Sequence, residues 1–194
     1  MPRIKGLKDI SFAKLLTDVA GKEATYDTVK KYERSVTAKI TPKSESETEY
    51  SDDNVEEVVN QFSQIDVEIE LNMISTQTRA FLQGSKVVNG ILIESKDDVA
   101  PYVAMIFKAK KSNGKYRYVC LYKGKFELSE DNYETEADKI KTQTASLKAT
   151  FMAREFDGNY RLMADEDTED IVAADLEKWF TAVPTVPIET TSEA

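Results

Sequence analysis

The chain of 194 residues is 41% hydrophobic and 31% charged, and its formal net charge is −9. This length predicts a single domain that buries its own core, and no apolar run is long enough to cross a bilayer. The negative charge disfavours tight, nonspecific binding to nucleic acid or to anionic membranes. Cysteine occurs once, which excludes an intramolecular disulfide. Histidine is absent, which excludes the catalytic triads that use it.

The N-terminal residues are basic, but they are not followed by the apolar segment of a secretory signal. We therefore expect the protein to be made and folded in a cytoplasm. The first predicted strand covers Ile10 to Leu16, and a polar loop with Gly21 follows it. The next strand, Ser35 to Lys43, alternates apolar and polar residues as half-buried strands do. Because of Pro42, this strand is not expected to be a central, fully paired element.

A polar, acidic connection separates this strand from the next one. It runs from Ser44 to Gln61 and is richest in acidic residues in its first half. Two structures suit it: a mobile, solvated loop, or an extended hairpin arm that becomes ordered against a neighbouring molecule. The residues alone favour neither.

The cleanest strand pattern lies at Ile65 to Leu71, where apolar and acidic residues alternate strictly. One face is predicted to enter a core, and the opposite face presents three carboxylates about 7 Å apart along the strand. These carboxylates belong to Asp66, Glu68 and Glu70. They repel one another unless water or an opposing lysine relieves them. Lys39 and Lys43 are the candidates if the two strands pair.

Two short elements follow this strand. Ser75 to Gln83 is predicted to be a helix, with Ser75 or Thr76 as its N-cap and Gly84 as its C-terminal stop. Val87 to Glu94 is predicted to be a short strand in which Asn89-Gly90 forms a turn or a bulge.

Residues 99–128 predict a β-hairpin. Two runs of aromatic and β-branched residues, Val103 to Phe107 and Tyr116 to Tyr122, flank Asn113-Gly114, a pair suited to a primed turn. Cys120 is expected to be a core thiol. Basic residues near the turn are expected to prevent edge-to-edge aggregation. They are Lys108, Lys110, Lys111, Lys115 and Arg117. The alternative is a nucleic-acid patch in which Tyr116 and Tyr118 stack on bases.

The last third of the chain begins with a charged, loop-like run from Glu130 to Lys141. Ser146 to Phe156 then alternates as a strand, and Asp157-Gly158 predicts a second hairpin that returns through Tyr160 to Met163. The acidic cluster from Asp165 to Asp170 lacks the glycine and terminal glutamate of a calcium-binding EF-hand. It is expected to cap the following helix and to aid solubility.

That helix is expected to carry its apolar residues on one face. They are Val172, Leu176, Trp179, Phe180 and Val183. Pro184 and Pro187 end the helix, and the small, polar tail is expected to be disordered. The predicted organisation is therefore one domain over residues 1–183 and a disordered tail over residues 184–194.

Signals for catalysis or for a cofactor are weak, and we expect neither an enzyme nor a bound cofactor. Asp66, Glu68 and Glu70 lie on one strand face rather than in a cleft, so a solvated surface is favoured over a glycosidase pair. The glycines are scattered at predicted turns and form no phosphate-binding motif. They include Gly84, Gly90, Gly114, Gly124 and Gly158.

These patterns together predict a mainly β fold. It is expected to be a two-sheet β-sandwich or a flattened barrel, with one packed C-terminal helix and a long extended loop or arm. Such a fold hosts many functions and does not choose among them.

An ordered set of short motifs resembles the major tail proteins of long, non-contractile-tailed bacteriophages. The central block consists of Asp97-Asp98-Val99-Ala100-Pro101-Tyr102-Val103-Ala104, Ser112-Asn113-Gly114-Lys115-Tyr116-Arg117-Tyr118 and Leu121-Tyr122-Lys123-Gly124-Lys125-Phe126. Two further motifs are Arg3-Ile4-Lys5-Gly6-Leu7-Lys8-Asp9 and Tyr50-Ser51-Asp52-Asp53. The resemblance extends from about Arg3 to about Val183.

The resemblance implies a structural virion protein of a siphovirus-like tail, synthesised in the cytoplasm of the bacterial host. Such proteins form hexameric rings that stack into a tube around a tape measure protein, with tail terminator and distal tail proteins at the ends. Genomic DNA passes through the tube without tight binding. The alternative is a monomeric β-sandwich binding module, for example one for single-stranded nucleic acid.

The resemblance also gives two surfaces an expected role. The acidic connection would be an arm that reaches an adjacent subunit, and its candidate residues are Glu45, Glu47, Glu49, Tyr50, Asp52 and Asp53. Asp66, Glu68 and Glu70 would line the lumen, where negative charge repels DNA phosphates.

Overall fold

A computed structural model describes residues 2–32, 35–51, 54–129 and 145–187. Within these ranges the chain forms mostly strands, with two short helices. The strands are β1 (Ile4–Val19), β2 (Lys22–Tyr26), β3 (Lys30–Lys31), β4 (Ser35–Ser51), β5 (Asn54–Leu71), β6 (Lys86–Val88), β7 (Ile91–Ile93), β8 (Val103–Lys111), β9 (Tyr116–Phe126), β10 (Ala145–Met152) and β11 (Arg161–Asp165). The helices are α1 (Thr76–Gln83) and α2 (Ala173–Glu177), and α2 continues into a 3-10 turn, Lys178–Phe180.

The large sheet is antiparallel and folds back on itself. Its strands follow the order β2-β1-β8-β9-β10-β5-β4, with β3 paired to β1 and β11 paired to β9. Near the two ends of this path, β1 and β4 lie against each other, so the strands enclose a core as in a sandwich. The predicted mainly β fold with a C-terminal helix is confirmed. Strands β6 and β7 form a separate two-stranded sheet.

The central strands β8 and β9 are buried on both faces. Their odd-numbered apolar residues enter a first core, which they share with β1, β5, β10 and α1. Leu176 and Trp179 of the C-terminal helical segment cover a second core, which Ile106, Tyr118, Cys120 and Tyr122 enter from the opposite face. Phe126, near the end of β9, belongs to the first core. Cys120 lies in the second core with no exposed surface, and burial raises the pKa of its thiol. Its prediction as a core thiol is confirmed.

The two helices differ in how well they were predicted. Helix α1 has the expected ends: the Ser75 hydroxyl accepts a backbone N–H of the first turn, and Gly84 ends the helix at a φ of 78°. The C-terminal helix is shorter than predicted, because only 173–177 is α-helical. Val172, expected on its buried face, is exposed. Residues 184–187 have no regular secondary structure, and the predicted disordered tail beyond them lies outside the described residues.

Strand β9 changes its partner midway along its length. Its residues 117–121 pair with β11, and its residues 123–126 pair with β10. The predicted Asp157-Gly158 turn forms, with Gly158 at a φ of 70°. The strand that follows this turn pairs with β9 rather than with β10. The predicted second hairpin is therefore wrong beyond its turn. The charged run from Glu130 to Lys141 lies outside the described residues.

The β8–β9 hairpin forms as predicted, but with a wider turn. Lys111 donates its backbone N–H to the carbonyl of Lys115 at 2.8 Å, and of the two predicted turn residues only Gly114, at 86°, has a positive φ. A two-residue type I′ turn requires positive φ at both central residues and a type II′ turn at the first one, so Asn113 fits neither type. Because β8 also pairs with β1, and β9 with β10 and β11, neither strand is an edge. The predicted role of the lysines in protecting an edge is wrong.

An ion-pair network fixes the tip of this hairpin to the end of β11 and to the segment that follows it. Arg117 donates two hydrogen bonds of 2.7 Å, from Nε and Nη2, to the carboxylate of Asp165. Lys111 lies 3.0 Å from Asp165 and also pairs with Asp167. The acidic cluster therefore binds the hairpin. Its predicted role as a helix cap is wrong, because the N-cap of α2 is Val172, which makes no side-chain hydrogen bond.

Gly124 lies inside β9 rather than at the predicted turn. It pairs with Phe151 of β10, whose side chain is fully buried. A Cβ at Gly124 would lie 2.5 Å from the nearest atoms of the Phe151 ring. The ring therefore occupies the space that any side chain here would need, and glycine is required for packing.

We predict that Gly124→Ala destabilises the protein by about 1–3 kcal/mol, because the Phe151 ring must leave its position in a filled core. Thermal unfolding measures the loss. Gly6→Ala is the matched control, since no atom lies within 4 Å of a Cβ built at Gly6 in β1. Equal melting temperatures for the two variants would contradict the packing argument.

We also predict that part of the stability at neutral pH comes from Asp165. Hydrogen bonding to Arg117 lowers its pKa to about 2. A folded-state pKa below that of the unfolded chain stabilises the fold fully above about pH 4, and this contribution is lost as the pH falls towards 2. Asp165→Asn should therefore cost about 1–3 kcal/mol at pH 7 and progressively less below pH 4.

Urea unfolding at several pH values tests this dependence. Asp175→Asn is the control, because both side chains of its ion pair with Lys178 are exposed. Such surface pairs contribute little to the free energy of unfolding. A loss in Asp165→Asn that stays constant from pH 7 to pH 2.5 would refute the assignment.

Candidate functional site

The acidic connection forms the distal half of the β4–β5 hairpin. The strands stay paired from Ser35 and Leu71 at one end to Ser51 and Asn54 at the other. Because β10 pairs with β5 only over residues 65–71, the distal halves have only each other as strand partners in the described chain. At about 3.3 Å per residue, residues 44–51 extend about 26 Å. Of the two structures that the sequence allowed, the extended hairpin is the one formed, and we call residues 44–61 the arm.

The residues expected to reach a neighbour lie on this arm. The exposed side chain of Glu45 accepts a hydrogen bond of 3.3 Å from Ser63. The backbone of β4 includes Glu47, Glu49 and Tyr50, while Asp52 and Asp53 lie outside the described residues.

The prediction that Pro42 excludes a central, fully paired strand is confirmed, because β4 has one strand partner in the described chain and contains Pro42. The strand continues through it to Ser51. Only β5 pairs with β4 among the described strands, and a strand with one partner tolerates a missing N–H.

Phe62 and Tyr160 hold the arm where it leaves the core. Their rings stack with centroids 3.8 Å apart and an interplanar angle of 5°, and both pack against the first core. The pairing of β4 with β5 shifts between Lys43 and Ser44, opposite Phe62, and such a bulge bends a strand. A role for Phe62 was not predicted from the sequence. The signal was available, because Phe62 is the one aromatic residue between Ser51 and Leu71.

The outward face of β5 carries the three carboxylates as predicted, since the four apolar residues of this stretch are all buried. Neighbouring strands place lysines beside them. The register puts Lys39 of β4 and Lys148 of β10 on opposite sides of Glu68. Lys43 Nζ lies 2.5 Å from an oxygen of Asp66. We call this surface the mosaic face, and its charged residues are Lys39, Lys43, Asp66, Glu68, Glu70 and Lys148.

The lysines change the electrostatics of this face. The hydrogen bond from Lys43, with a second from Gln64, lowers the pKa of Asp66. Glu70 accepts a hydrogen bond of 3.1 Å from Thr37. The prediction that a lysine of the preceding strand relieves the carboxylates is confirmed for Lys43. The face therefore alternates in charge and is less negative than the sequence of β5 suggests.

The mosaic face does not have the chemistry of a paired-carboxylate hydrolase. A shallow groove of about 470 Å³ crosses it, lined by lysines as well as carboxylates. A general acid requires a raised pKa, whereas that of Asp66 is lowered. Over the described residues, no histidine, cysteine or acidic groups cluster as metal ligands. No helix in these ranges is long and apolar enough to span a membrane.

Four of the five cations of the basic hairpin, all except the exposed Lys110, pair with acidic side chains, which disfavours a nucleic-acid patch. Lys108 lies 2.9 Å from Glu177 and 3.4 Å from Asp9. Acidic partners also bind Lys111, Lys115 and Arg117. Tyr118, expected to stack on bases, is buried and donates its hydroxyl to Glu177 at 2.6 Å.

A third surface was not anticipated from the sequence. Asn89 and Gly90 form a turn with φ values of 52° and 81°, as in a primed hairpin turn. Of the two predicted alternatives, turn or bulge, the turn is therefore formed. The β6–β7 hairpin that it closes exposes large apolar side chains. From the sequence these residues were predicted only to form a short strand.

The curated proteins include no match to this chain. A family model described as phage tail tube protein matches residues 24–180. That range contains the arm, the mosaic face, the β8–β9 hairpin and most of both cores. The match therefore covers most of the chain and confirms the resemblance seen in the short motifs. The chain therefore belongs to the phage tail tube protein family, a family of structural proteins of the bacteriophage tail.

Proposed function

We propose that copies of this chain form hexameric rings that stack into the tail tube of a siphovirus-like phage, and that genomic DNA leaves the particle through the bore. The family match over residues 24–180 carries this proposal. The arm supports it, because a two-stranded hairpin about 26 Å long with no other strand partner in the described chain needs an external surface to become fixed.

The proposal includes the other components of such a tail. A tape measure protein would occupy the bore during assembly, and tail terminator and distal tail proteins would close the two ends. The subunits would be made in the cytoplasm of the bacterial host and end in the virion tail. Residues 1–183 would form the tube domain, and the tail after Pro184 would stay outside it.

In this assembly the arm crosses to an adjacent subunit. The stack of Phe62 on Tyr160 fixes the direction in which the arm leaves the core. The distal residues, including Glu47, Glu49 and Tyr50, would then contact the neighbour, and Asp52 and Asp53 are proposed to do the same.

The mosaic face would line the bore. Asp66, Glu68 and Glu70 point away from the core along one strand, and ring closure would repeat them around the channel. Lys39, Lys43 and Lys148 offset part of this charge. A bore of alternating charge would neither bind phosphates tightly nor exclude them strongly, as a conduit for DNA requires.

We predict that the purified chain forms tubes or rings visible by electron microscopy and that deletion of residues 45–56 leaves a folded monomer. The deletion joins Ser44 to residues 57–61, a five-residue loop that still closes the pair between Ser44 and Phe62. No core residue is removed, so the melting temperature should change little. Normal tubes from the deletion variant would contradict the role of the arm, whereas dispersed monomers of the intact chain would favour the monomeric binding module.

We predict that Asp66→Lys, Glu68→Lys and Glu70→Lys together slow DNA ejection from particles built with the variant, most strongly at low salt, where screening is weakest. The added lysines also lie beside Lys39 and Lys148. Combined Asp66→Asn, Glu68→Gln and Glu70→Gln therefore serves as the control, since it removes the negative charge without creating a lysine cluster.

The neutral variant should eject DNA at an intermediate rate. Ejection rates that do not change in either variant would refute the lumen assignment. A tube structure with these side chains on the outer wall would refute it as well.

A further inference from the structure

The β6–β7 hairpin presents an apolar face that nothing in the described chain covers. Pairing places Val88 opposite Ile91 and Lys86 opposite Ile93, so these four side chains share one side of the hairpin. The exposed fractions are 50% for Val88, 67% for Ile91 and 49% for Ile93. The face is thus a compact group of three large aliphatic side chains with one lysine at its corner.

The hairpin is built to hold this face in a fixed orientation. Helix α1 lies against both strands and ends at Gly84, where a Cβ would lie 2.1 Å from the carbonyl oxygen of Val99. The segment after β7 is closed by a hydrogen bond of 2.9 Å from the Ser95 N–H to Asp98. A tight primed turn joins the strands. The exposed side chains therefore lie on an anchored support rather than on an irregular loop.

Exposing such an apolar face to water costs free energy unless a partner covers it. Two-stranded sheets are marginal by themselves, and exposed groups of large aliphatic side chains on a stable support typically mark a protein contact. Polar residues in place of Val88, Ile91 and Ile93 would keep the strand pairing and the turn. The choice of valine and isoleucine therefore points to burial in a complex.

We propose that this face, formed by Val88, Ile91 and Ile93, packs against a second copy of this chain in the tube. The inference rests on the proposed function. The family membership indicates the occupant, because tail tube proteins assemble with themselves. Rings of more than two copies, and stacks of rings, use heterologous contacts. The hairpin therefore meets a different surface of the second copy, outside its own β6 and β7.

Thiol labelling tests the proposal directly. Cys120 is completely buried, so Ile91→Cys adds a thiol that is much more accessible than the natural one. The purified variant is labelled with a small maleimide as monomer and as assembled tube, and the extent is read by mass spectrometry. We expect labelling to be at least about tenfold slower in tubes, because interface cores exclude solvent. The unsubstituted chain gives the background from Cys120.

Assembly gives a second measurement. Val88→Ser with Ile91→Ser should leave the melting temperature nearly unchanged, since both side chains are exposed, and should raise the protein concentration needed for tube formation. Val172→Ser is the matched control, because Val172 is 60% exposed and lies far along the chain, before α2. It should assemble like the unsubstituted chain.

The outcomes separate this inference from the proposed function. Tubes in which the Ile91→Cys thiol labels as fast as in the monomer would overturn the inference and leave the proposed function standing. Equal loss of assembly in the serine variants and the Val172→Ser control would also overturn it. An intact chain that never assembles would overturn the proposed function itself.

Discussion

The double burial of β8 and β9 is the constraint on which the rest of the structure depends. Two adjacent strands with apolar residues on both faces require a cover on each side. In the first core β5, β10 and α1 cover one face of these strands, and in the second core the C-terminal helical segment covers the other face. Ion pairs then fix both ends of β9: Arg117 binds Asp165 near the turn, and Lys123 forms a nearly buried pair of 2.8 Å with Asp18 of β1. Loss of Lys123 would be costly, because the nearly buried carboxylate of Asp18 would lose its counter-charge. Lys123 itself also pairs with the exposed Glu155 at 3.0 Å.

The position of β5 in this architecture explains why its outward face matters. Its apolar residues complete the first core, so the strict alternation forces every acidic side chain outward. Because β4 and β10 flank it, the carboxylates lie among lysines of both neighbours. The acidic side chains form a uniformly negative row along β5 by itself. Once β4 and β10 pair with β5, the same surface alternates in charge. The electrostatic character of a sheet face is a property of its register, and β5 alone does not determine it.

Local patterns predicted the elements well and their partners less well. The alternation at Ile65 to Leu71 and the caps at Ser75 and Gly84 depend on neighbouring residues, and they were predicted correctly. The pairing of β11 with β9 and the packing of Phe151 over Gly124 depend on contacts distant in sequence, which local signals do not encode. The acidic cluster was misread for the same reason, since its partners Lys111 and Arg117 lie about 50 residues earlier in the chain.

The proposed assembly surfaces share one physical property: each is regular structure with too few partners of its own. The arm continues β4 and β5 beyond the reach of β10, and the β6–β7 hairpin forms a separate sheet with an aliphatic outer face. Isolated two-stranded structure is marginal in water. A chain that retains two such elements beside a filled core is less stable as a monomer. Contacts between copies would restore this stability. In the proposed tube, contacts between subunits would supply the partners that the arm and the β6–β7 hairpin lack in the described chain.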